Sequence, residues 1–158
     1  MISKNTKETN LKEDYVIQVK GTQHYFGHRG EDDHDDKIEI DTLGSYTVRP
    51  SGKKLISYKD MSEDGEKAPF VTIVKLEDNK LTMTKSGLHT RLEIEPGQMK
   101  LCAYDTPYGA MTVGIQTHDL AHALDENGGS VYCSYSLYLN NVISSRNTLE
   151  IKVKKAKL

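Results

Sequence analysis

No stretch of this sequence approaches the ~20 apolar residues that a membrane-spanning helix requires, and no membrane contact is expected. Cysteine is scarce: Cys102 and Cys133 are the only two. Both fall inside apolar strand patterns without partners at metal-ligand spacing, so they read as two reduced, buried, small hydrophobes. No charge sign dominates either, since 21 Lys and Arg stand against 23 Asp and Glu for a net charge of -2. The basic surface of a nucleic-acid binder is therefore not expected. The one locally basic stretch holds Lys152, Lys154, Lys155 and Lys157. Lys152 and Lys154 alternate with Ile151 and Val153, which marks the solvent face of a last strand.

Catalytic signatures are missing as well. There is no Gly-x-Ser-x-Gly elbow, and no glycine-rich phosphate loop follows a strand pattern. His118 and His122 are four apart but lack the glutamate of a His-Glu-x-x-His site, so they read as ordinary polar positions. The segment from His24 to Asp36 gathers imidazoles and carboxylates, which are metal-competent ligand types. Its spacing fits no closed metal site, and a solvated acidic loop is the preferred reading. No enzymatic activity, metal or cofactor is expected. Residues 1–13 are polar and charged with no apolar export core, so they read as a flexible tail on a cytoplasmic protein.

What the sequence does hold is alternation with a period of two. Tyr15, Ile17 and Val19 open the pattern; Ile38 and Ile40 resume it and lead into Gly44-Ser45-Tyr46. Further strand segments are Leu55 to Met61, Phe70 to Leu76, Leu81 to Lys85, Leu88 to Ile94 and Met99 to Tyr104. Beyond Gly109 come Met111, Val113 and Ile115, then the apolar face Val131, Cys133, Tyr135, Leu137 and Leu139, and finally Leu149, Ile151 and Val153. Turn chemistry separates them at Pro50-Ser51-Gly52, Ser62 to Gly65, Glu77 to Lys80 and Pro96-Gly97. Asn127-Gly128-Gly129 is the clearest hairpin signal. His118 to Glu126 reads as a continued strand or a single turn. One antiparallel domain over residues 14–155 follows, as a sandwich or as a barrel, the latter removing exposed strand edges.

The ordered motifs Gly44-Ser45-Tyr46, Ser57-Tyr58-Lys59-Asp60, Lys85-Ser86-Gly87, Tyr104 to Gly109, Gly129 to Tyr135 and Asn147 to Val153 resemble the YwiB-like family of small bacterial proteins of unknown function. The resemblance implies an all-β, calycin-like (lipocalin-like) barrel of about eight to ten strands, and no established activity. Lys85 and Asp60 stand where that family tends to carry Arg and Glu; charge is kept, but a bidentate Arg geometry is not. The Gly-x-Trp hallmark of true lipocalins is absent, because the chain has no tryptophan.

One set of residues combines polarity with an inward face. Lys85 shares its face with Leu81 and Met83, and Asp60 shares its face with Ile56 and Tyr58. Tyr104 and Tyr108 flank the Thr106-Pro107 turn. A buried ammonium must be paired or wet. Lys85 and Asp60 with Tyr58 and Tyr104 are therefore expected to cluster inside one end of the barrel, with Tyr108 nearby. Two roles are open: a structural ion pair plugging a filled barrel, or a set of groups that orients a small apolar or amphipathic ligand. The alternative function is a protein-interaction module or homodimer acting through the outer surface, where Tyr132 and Tyr138 lie opposite the apolar face.

Overall fold

In the structure, a computed structural model that describes residues 14–28, 30–61, 67–106 and 108–156, the alternating segments become ten strands. These are β1 (Tyr15–Tyr25), β2 (His34–Val48), β3 (Lys54–Met61), β4 (Lys67–Glu77) and β5 (Lys80–Lys85). They continue as β6 (Arg91–Ile94), β7 (Lys100–Thr106), β8 (Gly109–Asp125), β9 (Gly128–Leu139) and β10 (Val142–Lys155). Each pairs with its neighbour in sequence, and β1 returns to β10, so the meander closes into an antiparallel barrel. The closing seam runs from Tyr15 opposite Lys155 to Tyr25 opposite Ser145. The expected tail, residues 1–13, and the turn at Ser62 to Gly65 lie outside the described residues.

Alternation fills the interior. Ile17, Ile56, Val74, Leu81, Ile115, Cys133 and Ile151 are fully buried, while their neighbours Gln18, Lys152 and Lys154 point to solvent. Burying a side chain of that size stabilises the fold by about 1.5–3 kcal/mol. Neither Cys102 nor Cys133 is in a disulfide. Burial pushes the Cys133 thiol up to about 12, which makes it a packing group rather than a nucleophile. One end of the barrel is plugged where Tyr15 and Tyr46 meet edge to face at 5.5 Å and the Tyr46 hydroxyl donates to the Asp125 carbonyl at 2.8 Å.

Three departures from the expected strands have local causes. First, β6 begins at Arg91 rather than Leu88, because the Asp105 carboxylate captures the backbone amides of His89 and Thr90 at 2.5 and 2.7 Å. Second, β8 continues through His118 to Asp125 as one strand, which was one of the two expected readings, but with a bulge between Thr117 and Asp119 that the alternation did not show. An inserted residue reverses the alternation. The inner face therefore passes from Val113, Ile115 and Thr117 to Leu120 and Leu124, which accounts for the helix-like spacing there. The two histidines part company: His118 Nε2 lies 2.6 Å from Ser136 Oγ, and His122 Nε2 lies 3.1 Å from the Asp78 carbonyl. Third, β1 and β2 extend into the segment read as a solvated loop, so His24, His34 and Asp35 are strand residues.

The seam between β6 and β7 is different in kind. A single register pair, Arg91 with Ala103, joins these strands among the described residues. Two amides turn to side chains instead, Glu93 in β6 to Cys102 Sγ at 3.4 Å and Glu95, just past β6, to Thr117 Oγ1 of β8 at 3.1 Å.

The β8–β9 hairpin occurs where the sequence signals it, but the glycines do other work. Asp125 pairs with Gly128, leaving Glu126 and Asn127 as the turn. Gly128 and Gly129 are already in β9, with φ of 113° and 136°. A Cβ on Gly129 would overlap the Ala123 carbonyl, and one on Gly128 the Val153 carbonyl. Gly129→Ala combines left-side φ strain with a backbone clash, and it is expected to cost more than about 1 kcal/mol. Urea unfolding checks this; a midpoint equal to that of the original protein refutes it.

Candidate functional site

Away from the Tyr46 plug, the inner faces change character. The same alternation that buries Leu81 turns Met83 and then Lys85 inward along β5, and Ile56 and then Tyr58 along β3. They reach a cavity of about 300 Å³, walled by Val19, Ile38, Ile40, Met83, Leu92 and Leu149 on its apolar side. Tyr58, Lys85, Thr90, Tyr104, Tyr135 and Asn147 supply its polar side. Lys85 donates to the hydroxyl of buried Thr72 at 2.9 Å, and its ammonium lies 5.9 Å from the centre of the Phe70 ring. That separation is within cation–π range.

Of the expected cluster, the structure brings Lys85, Tyr58 and Tyr104 to one cavity. Asp60 falls at a register shift between Lys59 and Met61, and its side chain lies outside the described residues. Tyr108 is placed differently from the expectation. It is 97 % exposed and does not line the cavity, because it occupies the turn beyond the end of β7 rather than an inward strand position.

Three groups not foreseen as site residues shape the same end. A smaller chamber of about 150 Å³ adjoins the first and shares Gln23, Tyr104, Tyr135 and Asn147 with it. Tyr25 also lines the small chamber and donates its hydroxyl to Gln23 Oε1 at 2.9 Å. Burial pushes the Tyr135 phenol above the ordinary tyrosine range, and the nearby Cys133, Tyr104 and Tyr25 add to the effect. The Tyr25 phenol is raised too, by burial first and then by Tyr104 and Asp36. Both stay protonated at neutral pH and are donors. Asn147, buried on the inner face of β10, donates through Nδ2 to Ser145 Oγ at 3.1 Å and to the Tyr135 carbonyl at 3.4 Å.

Carboxylates organise the rim. Besides the two amides, Asp105 accepts from Thr90 Oγ1 at 3.0 Å and contacts His89 Nδ1 at 3.2 Å. Burial works against its charge, but the hydrogen bonds from Thr90 and His89 outweigh burial and hold the carboxyl below the usual range. The β1–β2 connection is tied by His24, whose Nδ1 meets Asp35 at 2.5 Å and whose Nε2 meets Asp33 at 3.2 Å. Asp33 also accepts from the Gly27 amide at 2.8 Å. The bond to Asp35 is the main reason that His24 is raised above 6.5; partial desolvation opposes it. Among the described residues, no group of three or more His, Cys, Asp or Glu is arranged to hold a metal ion. Nor is any helix among them long and apolar enough to cross a membrane.

A closed ten-strand antiparallel barrel, plugged at one end and chambered at the other, is a calycin-like architecture. The chain belongs to the family described as Domain of unknown function (DUF1934), whose model matches residues 17–151. It is similar to the crystal structure of the ywiB protein from Bacillus subtilis, with a TM-score of 0.68. That match has 18% sequence identity and covers 96% of this chain and 99% of the other, a likeness that shows the fold alone. The resemblance carried by the motifs from Gly44 onward is thereby confirmed, and the family match extends it back into β1. No curated protein matches the chain.

Two outcomes follow for the rim. The raised His24 stabilises the folded state fully below about pH 6.5, and this is lost as pH rises through its higher folded value. An NMR titration is expected to find His24 above 6.5 and to find it lowered in Asp35→Asn; an unchanged midpoint in the variant refutes the contact. The depressed Asp105 stabilises above about pH 4, and this is lost as pH falls through its lower folded value. Asp105→Asn is expected to lower the melting temperature at pH 7 and to narrow the difference from the original protein in strong acid. Equal melting at pH 7 would show that the carboxylate does not hold the rim.

Proposed function

We propose that this protein is a non-catalytic carrier that binds a small amphipathic molecule inside the chambered end of its barrel. One observation supports this above the rest: the interior of that end is a cavity of about 300 Å³ with an apolar wall on one side and Lys85, Tyr58 and Tyr104 on the other. Its size is at the lower end of the range of ligand pockets, about 300–1,000 Å³. An apolar tail packs against Val19, Ile40, Met83 and Leu149, where each buried methylene contributes ~0.8 kcal/mol. The head group meets an ammonium and phenol hydroxyls, so an acceptor such as a carboxylate suits it better than a cation.

Octanoate, an apolar tail with one carboxylate, is the probe. Isothermal titration is expected to show saturable one-to-one binding, at least tenfold weaker in Lys85→Met, a loss of about 1.4 kcal/mol. Native mass spectrometry of freshly purified protein reports any resident molecule. The reading fails if the original protein does not bind the probe, or if Lys85→Met loses only stability and keeps the same affinity.

A second reading rests on the outer surface. Leu101 is 74 % exposed on β7, and the exposed Met99 lies over Gly114 beside Tyr138. This apolar strip favours docking of a partner or of a second copy. Sedimentation of the original protein and of Leu101→Lys separates self-association from a monomeric carrier.

A further inference from the structure

The barrel wall also carries a groove on its outside, of about 520 Å³, across the β2–β1–β10–β9–β8 face. Strand register assembles it. In one row Asp35 lies opposite His24, His24 opposite Arg146, and Arg146 opposite Ser136. The β8 bulge places His118 on buried Ser136, so the row ends with the imidazole 2.6 Å from that hydroxyl. In the next row Lys37, Thr22, Thr148 and Ser134 follow one another across the strands. Short hydroxyl side chains thus form a floor between longer charged ones.

Charge in the groove is unevenly settled. Asp35 is held by His24, and Asp36, which also lines the groove, acts on the Tyr25 phenol. Arg146 is exposed, lines the groove, and its guanidinium makes no ion pair or hydrogen bond among the described residues. Lys37 lines it too, one row away. A guanidinium presents paired donors that match the oxygens of a phosphate or carboxylate in bidentate fashion. The hydroxyls and His118 add further hydrogen-bonding groups around it.

We propose that this outer groove is a second binding site, for a small oxyanionic ligand of the phosphate-monoester class, seated on Arg146 with Lys37 and the floor hydroxyls. Its cationic groups, Arg146 and Lys37, do not line the interior chamber, although Thr22 and Thr148 border both, and they suit a polar dianion instead of an apolar tail. Bulges commonly re-aim side chains beside functional sites, and the displaced His118 fits that pattern.

The test uses the full chain with inorganic phosphate and phenyl phosphate, followed by NMR at the Arg146 Nε–Hε and Thr148 amide resonances. Saturable shifts at both are expected, with affinity falling as salt rises. Arg146→Gln is expected to weaken binding at least tenfold, and Arg146→Lys, which keeps charge but loses the fork, by less. Arg146 is exposed, so neither variant endangers folding. Lys85→Met is expected to leave phosphate binding unchanged, which separates this site from the chamber. Equal shifts in the original protein and Arg146→Gln, or shifts that do not saturate, overturn the proposal.

Discussion

The pairing of β1 with β10 turns a sheet into a container. Ile17 and Val19 stand opposite Val153 and Ile151 across it, and all four are buried. Without this seam the ten strands would be a long meander with two open edges and one wet apolar face. With it, every inward side chain has a roof, and Lys85 can share a chamber with Asn147 from the far end of the chain. The seam also joins segments that are very distant in sequence, so the loop-closure entropy must be overcome before the interior forms. The cavity, the hydroxyl rows and the outer groove all presuppose this closure.

Along the barrel axis, two ends built on one alternation differ in what fills them. At the plugged end, the aromatic pair of Tyr15 and Tyr46 and the buried aliphatic side chains Leu76, Leu81 and Ile94 fill the interior. Towards the other end, successive inner positions become polar: Thr72, Lys85, Tyr104, Asn147. Two of them are fixed by specific bonds, Lys85 to the Thr72 hydroxyl and Asn147 to Ser145 and the Tyr135 carbonyl. Groups bonded in this way hold their positions, which a recognising surface needs.

Period-two arithmetic made much of this legible from residues alone. It put Lys85 on the face of Leu81 and Met83, and Tyr58 on the face of Ile56, and both reach the interior cavity. Arithmetic fails where the chain inserts a residue, as at His118, since only the partner strand reveals that the count has slipped. It also fails for roles set by distant backbone. Asp105 lay inside the most specific motif, yet its role depends on amides about fifteen residues away, just before β6. Tyr108 kept company with Tyr104 in sequence but not in space, because the strand ended between them. Asn147 was within reach of inference: continuing the face of Leu149 by one step exposes a buried amide, and the apolar pattern simply hid it.

The join between β6 and β7 is the sparsest part of the barrel's ladder among the described residues. A hoop clasped firmly all round must unfold to admit anything through its side; a hoop with one slack stave need not. The Glu93 amide leans on the Cys102 thiol, a weaker acceptor than the ladder carbonyl it replaces. Separating those two strands therefore disrupts little of the ladder and leaves the β1–β10 clasp untouched. Leu92, which walls the chamber, belongs to the slack stave. A local parting of β6 from β7 would open the chamber wall at the cost of the Asp105 bonds to His89 and Thr90, with the β1–β10 clasp intact.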